Sequence, residues 1–406
     1  MSPDTAARLS AALDDAVEHQ PVLVIDGDRL DANADAIAAM TRGRRLRLVD
    51  KSLACEALLR RVAARTGANA FMSFHAPFLI QTALAFPSSD ILLGKPLPAR
   101  AMDTIFAALA GAQFDAEAQI TWLVDTPGRV SEYAQRARAL GVTVKLAAEI
   151  DIGLRRGGAR DAGAFAALLD AVEAEAGAVR FTGLMGYDAH AAKAPAPFAS
   201  PGAAVAASDR AYRGFIDQAK ARGLLDDSAV FNGAGSLTAP LHGGTAVNDV
   251  SIGSAFVKPT DFDTGELDAL VPAAFIATPV LKRFDGVSVP FIERVTRVLS
   301  PGRSTLFIYG GRWMAKPVWP ASMKHNALYG FSSNQQMMTI ARKDQSAPGD
   351  WAFFRPTQSE AVLTQFGRLR VVEHGAVTAR WQTYSLDVSD GSATAQIASS
   401  PSIASA

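Results

Sequence analysis

From Pro21 to Phe256 the sequence keeps changing its period: a short apolar run, a longer alanine-rich stretch with helical spacing, then another apolar run. The candidate strands are Pro21–Asp26, Leu46–Asp50, Ala70–Phe74, Ile91–Gly94, Ile120–Asp125, Val142–Ile150, Val179–Tyr187, Ala229–Asn232 and Val250–Phe256. Between them lie helical patterns such as "RVSEYAQRARALG" and "AGAFAALLDAVEAEAG", with the glycine that follows a helix end. Strands that alternate with helices form a parallel sheet, and eight such repeats close into a (β/α)8 barrel. Periodicity leaves open which of the nine runs is the extra one.

The pattern changes near Thr264. Beyond it the apolar runs are short and punctuated by Pro and Gly: "AAFIATPVLKRF", "VTRVLSP", "RSTLFIYGG", "GDWAFFRP", "GRLRVVEHG" and "VTARWQTYSLDV". That is the spacing of an all-β unit. We therefore expect an α/β barrel over residues 27–265, a C-terminal β domain over 266–390 and a small, polar, disordered tail over 391–406. Lys+Arg and Asp+Glu balance at 40 each, which excludes the electrostatic footprint of a nucleic-acid or anionic-membrane binder. Cys55 is the only cysteine, so an internal disulfide is excluded and a thiolate zinc site is disfavoured. No apolar run is long enough to span a bilayer, and the acidic amphipathic start lacks the pattern of a signal peptide. The expectation is a soluble cytoplasmic protein acting on a small molecule.

Chemistry gathers where the candidate strands end. "LRLVDKSLAC" carries a strand pattern into Asp50-Lys51-Ser52 and then into a helix, so Lys51 sits at a rim where barrels bind ligands. A desolvated lysine there loses its proton and acts as an amine nucleophile, although a lone solvated lysine would read the same way. His75, Lys95 and Asp125 follow other strands. "EIDIGLRRGG" supplies Glu149, Asp151, Arg155 and Arg156, and "GLMGYDAH" supplies Tyr187, Asp188 and His190. Late in the barrel come "NGAGS" and "SIGSAF", whose backbone N–H groups suit a phosphate. Each glycine loop alone reads equally as a turn. A rim lysine, a phosphate cradle opposite and arginine and tyrosine between them make a pocket for pyridoxal phosphate.

With "DKS", "EIDIGLRRGG", "GLMGYDAH", "NGAGS", "DVSIGSAF" and "GDWAFFRPTQSEA" in this order, the chain resembles the fold-type III pyridoxal phosphate enzymes with an alanine-racemase-like barrel. Within that family it is most similar to the branch of D-threonine aldolases and D-serine dehydratases. The resemblance implies that Lys51 is the Schiff-base lysine, Arg156 lies near the cofactor ring and Tyr187 touches cofactor or substrate. It makes Gly233, Gly235, Ser236, Gly253 and Ser254 the phosphate-facing positions. It also implies that Leu46–Asp50 is the first barrel strand and Val250–Phe256 the eighth, that Pro21–Asp26 joins the C-terminal β domain, and that the enzyme is a homodimer. The activity implied is a lyase on a 3-hydroxy amino acid of D configuration, by aldol cleavage or by dehydration, with His190 as a candidate base.

One segment departs from that branch, whose Pro-x-His-x-Cys or Pro-x-His-x-Asp pattern binds a divalent metal. Here the matching residues are Pro356-Thr357-Gln358-Ser359-Glu360. Gln358 and Glu360 offer only oxygen, which disfavours zinc and leaves Glu360 as a weak candidate for a magnesium-type ion. The altered pair favours aldol cleavage over dehydration. A racemase is the rival activity, for which Tyr309, Tyr329 or Tyr384 would have to supply a second base, and a binding protein without turnover is a third reading. His242, His325 and His374 lie in expected turns without a partner pattern, and Cys55 reads as packing. "GGRWMAKPVWP" and "YGFSSNQQMM" read as loops over the barrel mouth or as surface hairpins.

Overall fold

The computed structural model describes residues 1–195, 197–286, 302–326 and 330–387. The chain opens with α1 (Pro3–Asp15), β1 (Val22–Asp26) and α2 (Gly27–Met40). Next come β2 (Arg45–Val49), α3 (Glu56–Thr66), β3 (Ala70–Ser73), α4 (Ala76–Ala85), β4 (Asp90–Leu93), α5 (Ala101–Ala108) and α6 (Ala116–Gln119). They are followed by β5 (Ile120–Val124), α7 (Pro127–Leu140), β6 (Val144–Glu149), α8 (Ala162–Ala174), β7 (Val179–Gly186), α9 (Pro201–Ala221), β8 (Val230–Gly233) and β9 (Asp249–Ile252). After these the chain turns to strands: β10 (Ala274–Asp285), β11 (Arg303–Tyr309), β12 (Ala315–Trp319), β13 (Lys324–His325), β14 (Gln335–Ala341), β15 (Trp351–Pro356), β16 (Arg368–Glu373) and β17 (Ala376–Gln382). Contacts divide the chain into two compact units. One comprises residues 34–255, 264–269 and the described residues from Tyr384; the other comprises 1–33, 256–263 and 270–383.

In the first unit β2 to β9 close in sequence order into a parallel barrel, with β9 pairing back onto β2. Strands such as β3 and β5 are buried along their whole length, which explains their nearly unbroken apolar runs. Helices α3 and α7 stop at Gly67 and Gly141, both in the left-handed region that glycine enters without a Cβ clash. Several expected strands run too long. Asp50 already belongs to a 3₁₀ turn over Asp50–Leu53, and β9 stops at Ile252 because Ser254–Phe256 forms another such turn. The apolar side chains of that turn imitate a strand in sequence.

The barrel interior also buries charge near the starts of the strands. Arg47, 1% exposed, donates from Nε to Asp249 Oδ1 at 2.9 Å, pairs with Asp90 Oδ1 at 2.5 Å and donates to the carbonyls of Phe71 and Asp90. Lys145 Nζ stands 3.8 Å from Asp90, and Asn232 donates to Asp249 at 2.6 Å and to Ser251 at 2.9 Å. Burial opposes the charge on Asp90, but Arg47, Arg45 and Lys145 outweigh it and hold that carboxyl below its usual range.

In the second unit the described residues form a nine-stranded sheet with the order β13-β14-β11-β10-β1-β16-β17, to which β15 adds through β10 and β12 through β15. The strand left over from the barrel is β1, antiparallel to β10 and parallel to β16. Helix α1 buries Leu9, Ala12 and Leu13 in one cluster with Val22, Val24, Phe275, Trp351 and Phe353, so the N-terminal helix belongs to this core. The run Gly310–Pro320 contains β12, and residues 335–338 of the run 329–338 begin β14, so these parts are paired strands. The expected strand "VTRVLSP", Tyr329 and the expected tail lie outside the described residues.

Candidate active site

Lys51 is held in the 3₁₀ turn Asp50–Leu53, directly after β2, with its Nζ 4.4 Å from the centroid of the Phe74 ring. Phe74 can occupy that place because residue 94, just after β4, is glycine: a Cβ there would fall 2.2 Å from the ring. An ammonium over a phenyl face is favoured.

The glycine loops adjoin this turn. The sequence suggested a phosphate cradle opposite the lysine, but barrel closure places β9 beside β2. At Gly253 a Cβ would come within 2.6 Å of Ser52 Cβ and 2.8 Å of Val49 Cβ. Ser236, from the loop after β8, brings its Oγ to 3.3 Å from the N–H groups of both Gly253 and Ala255, so the two loops meet at one cluster of backbone donors. Ser254 lies between those donors and is buried. Gly233 is tight against Val247, and Ala234 adopts a φ of +61°, a strained value for alanine that fixes the loop's bend.

From this cluster the contacts continue toward the loops after β7 and β6. A Cβ at Gly235 would lie 2.8 Å from the Tyr187 ring, and the Arg156 guanidinium sits over the other side chain's ring at 5.0 Å from its centroid. Arg156 Nη2 is also 3.9 Å from Glu149, whose carboxyl burial raises despite the arginine. The loop holding Arg156 is shaped by its sequence. Asp151 Oδ1 accepts the N–H groups of Gly153 and Arg155, and Gly158, at φ +85°, lies where a Cβ would strike the Glu149 carbonyl at 2.6 Å. Lys51, Ser52, Gly253, Ser236, Gly235, Tyr187 and Arg156 thus form one contiguous arc of the rim.

His190 stands beyond the arc, its Nε2 2.8 Å from where a Cβ of Gly153 would be, and its buried Nδ1 has no hydrogen-bond partner among the described residues. It borders a largely apolar cleft of about 540 Å³ with Leu154, Lys193 and Pro195. His75 caps the start of α4 with its ring edge-on to Phe78, Lys95 is exposed, and Asp125 is 4.0 Å from Arg129. Cys55 is buried, which pushes its thiol up to about 12 and removes it as a nucleophile.

His242 corrects the sequence expectation. It is buried, its Nε2 is 2.7 Å from Asp188 Oδ2 and its Nδ1 is 3.1 Å from Thr245. Asp188 also accepts the Thr238 hydroxyl at 2.7 Å, and Thr238 accepts the Gly235 N–H. The pair therefore braces the glycine loop from behind. The partners are 54 residues apart, so no local pattern announces them. His325 lies in β13 against Phe331 and Phe354, and burial lowers its pKa. His374 is exposed beside Asp28.

In the β unit Gln358 donates to Asp261 Oδ2 at 3.3 Å, close in sequence to Glu360. Among the described residues no group of three or more His, Cys, Asp or Glu is arranged to hold a metal. No helix among them is long and apolar enough to cross a membrane.

Comparison with known proteins gives a family and a fold. The family described as alanine racemase, N-terminal domain, matches residues 25–260. A D-threonine aldolase from Filomicrobium marinum superposes with a TM-score of 0.72 at 19% identity, covering 90% of this chain and 96% of its own. D-threo-3-hydroxyaspartate dehydratase from Delftia sp. HT23 gives 0.70 at 16% identity, covering 90% and 99%. Alanine racemase from Bartonella henselae, with covalently bound pyridoxal phosphate, gives 0.63 at 12%, covering 87% and 100%. A comparison with curated protein sequences finds no match.

Proposed function

Because the chain belongs to the alanine racemase N-terminal domain family of fold-type III pyridoxal phosphate enzymes, we propose that it is a pyridoxal phosphate-dependent lyase cleaving a D-3-hydroxy amino acid. The observation that carries this reading is the unbroken arc from Lys51 to Arg156 around one side of the barrel mouth. Its donors suit the family's cofactor. Lys51 would anchor the aldehyde carbon, while Ser236 and the N–H groups of Gly253, Ser254 and Ala255 would hold the phosphate. Gly233 and Gly235 would keep that loop thin, and Tyr187 and Arg156 would face the ring. When bound, the cofactor stabilises negative charge on the substrate carbon that carries the amino group.

The protein's own groups then divide the proton work. His190 accepts the proton of the substrate's β-hydroxyl as the Cα–Cβ bond breaks, releasing an aldehyde, and Lys51 supplies a proton to Cα, so that glycine leaves. The open imidazole Nδ1 of His190 supports that assignment. Aldol cleavage is favoured over dehydration because the latter calls for an acid or metal on the departing hydroxyl. The segment that carries the metal ligands in the aldolase branch has Gln358 and Glu360 instead. Glu360 would serve at most as a hard oxygen ligand. We read the working form as a homodimer, which sedimentation velocity tests.

The racemase reading keeps one support, the likeness to alanine racemases. Tyr384, one candidate for its second base, is buried and bonded to Thr82 near the Lys51 turn. The deciding experiment is incubation with D-3-hydroxy amino acids. Aldehyde plus glycine supports the proposal, a 2-oxo acid indicates dehydration, and loss of optical rotation without either product indicates racemisation.

A further inference from the structure

Asp50 immediately precedes Lys51, is wholly buried, and takes no part in the cofactor assignments above. Its carboxyl is approached from several elements. Thr82 Oγ1, on α4, lies 3.5 Å from Asp50 Oδ2 and 3.2 Å from the phenol oxygen of Tyr384. Tyr384 is fixed in turn: its N–H donates to the Ala54 carbonyl at 2.8 Å, its ring packs on Phe78, and Ser385 and Gln81 exchange two hydrogen bonds. Ser73 from β3, the Lys51 N–H and the Lys51 ammonium also face the carboxyl, while Glu56 and Cys55 lie near the phenol.

Thr82 has one hydroxyl hydrogen for two oxygens. With Asp50 ionised, Tyr384 can donate to Thr82 and Thr82 to Asp50. With Asp50 protonated, both hydrogen bonds can reverse, so that Asp50 donates to Thr82 and Thr82 to Tyr384. Either state keeps Asp50 Oδ2, Thr82 and Tyr384 linked, while the buried Asp50 Oδ1 has no hydrogen-bond partner among the described residues.

We propose that Asp50, backed by Thr82 and Tyr384, is a positioning residue for Lys51: it anchors the turn and, through its own charge, governs how readily the Lys51 amine gives up its proton. Burial raises the Asp50 carboxyl to about 7, against the hydrogen bonds of Ser73, Lys51 N–H and Thr82, so its charge changes near neutral pH. This rests on Lys51 being the amine that anchors the cofactor, and the test separates the two claims.

The full-length chain, freed of cofactor, is labelled with trace acetic anhydride across pH, and Lys51 acetylation is read by peptide mass against the other lysines. In Asp50→Asn the Lys51 signal should rise by about tenfold above about pH 8, where the native carboxylate holds the ammonium. It should match the native protein below about pH 6, where Asp50 is already neutral. A merely structural Asp50 would change the melting temperature and leave the two profiles superimposed, which overturns the proposal. Thr82→Val removes a donor to the carboxylate, delays its ionisation, and should raise the Lys51 signal only between about pH 7 and 8; no change there also overturns it, even where Asp50→Asn does not fold. Borohydride reduction of the holoenzyme reports separately: a pyridoxyl adduct on another lysine defeats the cofactor assignment and leaves the labelling profiles to judge the relay.

Discussion

Near the starts of its strands the barrel encloses Arg47 between Asp249 and Asp90, whereas past the ends of the same strands Lys51 faces a phenyl ring and Arg156 a phenol. The two regions contain the same kinds of side chain in opposite states of completion. At the first, each cation meets a carboxylate and each carboxylate meets a further donor. At the second, carboxyls stand behind the cations: burial raises Asp50 to about 7 and raises Glu149, so neither holds its charge as firmly as Asp90. The difference separates a structural plug from a ligand-ready rim, in keeping with the division of labour in (β/α)8 barrels.

Substitutions can break this contrast. Lys51→Ala should lower lyase turnover by about 10³-fold or more, as expected for loss of a positioned proton-transfer group, with little change in the melting curve. Asp249→Asn should do the reverse. It leaves the buried Arg47 with one of its two carboxylate partners neutralised and should cost about 3 kcal/mol of stability in urea unfolding, while the folded fraction retains kcat. Gly253→Ala forces a Cβ against Ser52 and Val49 and should weaken cofactor affinity about tenfold by fluorescence titration, with a smaller loss of stability.

The two regions should also answer pH with opposite sign. Asp90 is held low in the folded state, so its contribution is present above its ordinary value of 3.8 and is lost as pH falls through the folded value. Asp50 is raised, so the unfolded chain ionises first and stability declines as pH climbs from about 4 to about 7. Melting temperatures across pH should therefore flatten on the acid side in Asp90→Asn and between those two values in Asp50→Asn. The smallest expected effect is that of chelation. Dialysis against EDTA should change aldol cleavage by less than about twofold, since no group of three or more His, Cys, Asp or Glu among the described residues is arranged to hold a metal.

Much of the barrel was legible because strands buried on both faces are mostly apolar, and the helices between them carry their own stops at Gly67 and Gly141. The arc was legible for a related reason: strand ends are where sequence pattern and three-dimensional position coincide. The misreadings came where hydrophobicity does not distinguish a 3₁₀ turn from a strand, as in Ser254–Phe256. What stayed hidden depends on pairs distant in sequence. Arg47 and Asp249 are 202 residues apart, Thr82 and Tyr384 are 302 apart, and His242 meets Asp188 across 54, so local spacing carried no trace of them.

The most direct measurement is borohydride reduction of the purified protein incubated with pyridoxal phosphate, followed by peptide mapping. We expect a visible absorbance that reduction abolishes and a pyridoxyl mass on the peptide containing Lys51. A colourless protein with no adduct, or an adduct confined to another lysine, would contradict the assignment of the rim as the active site.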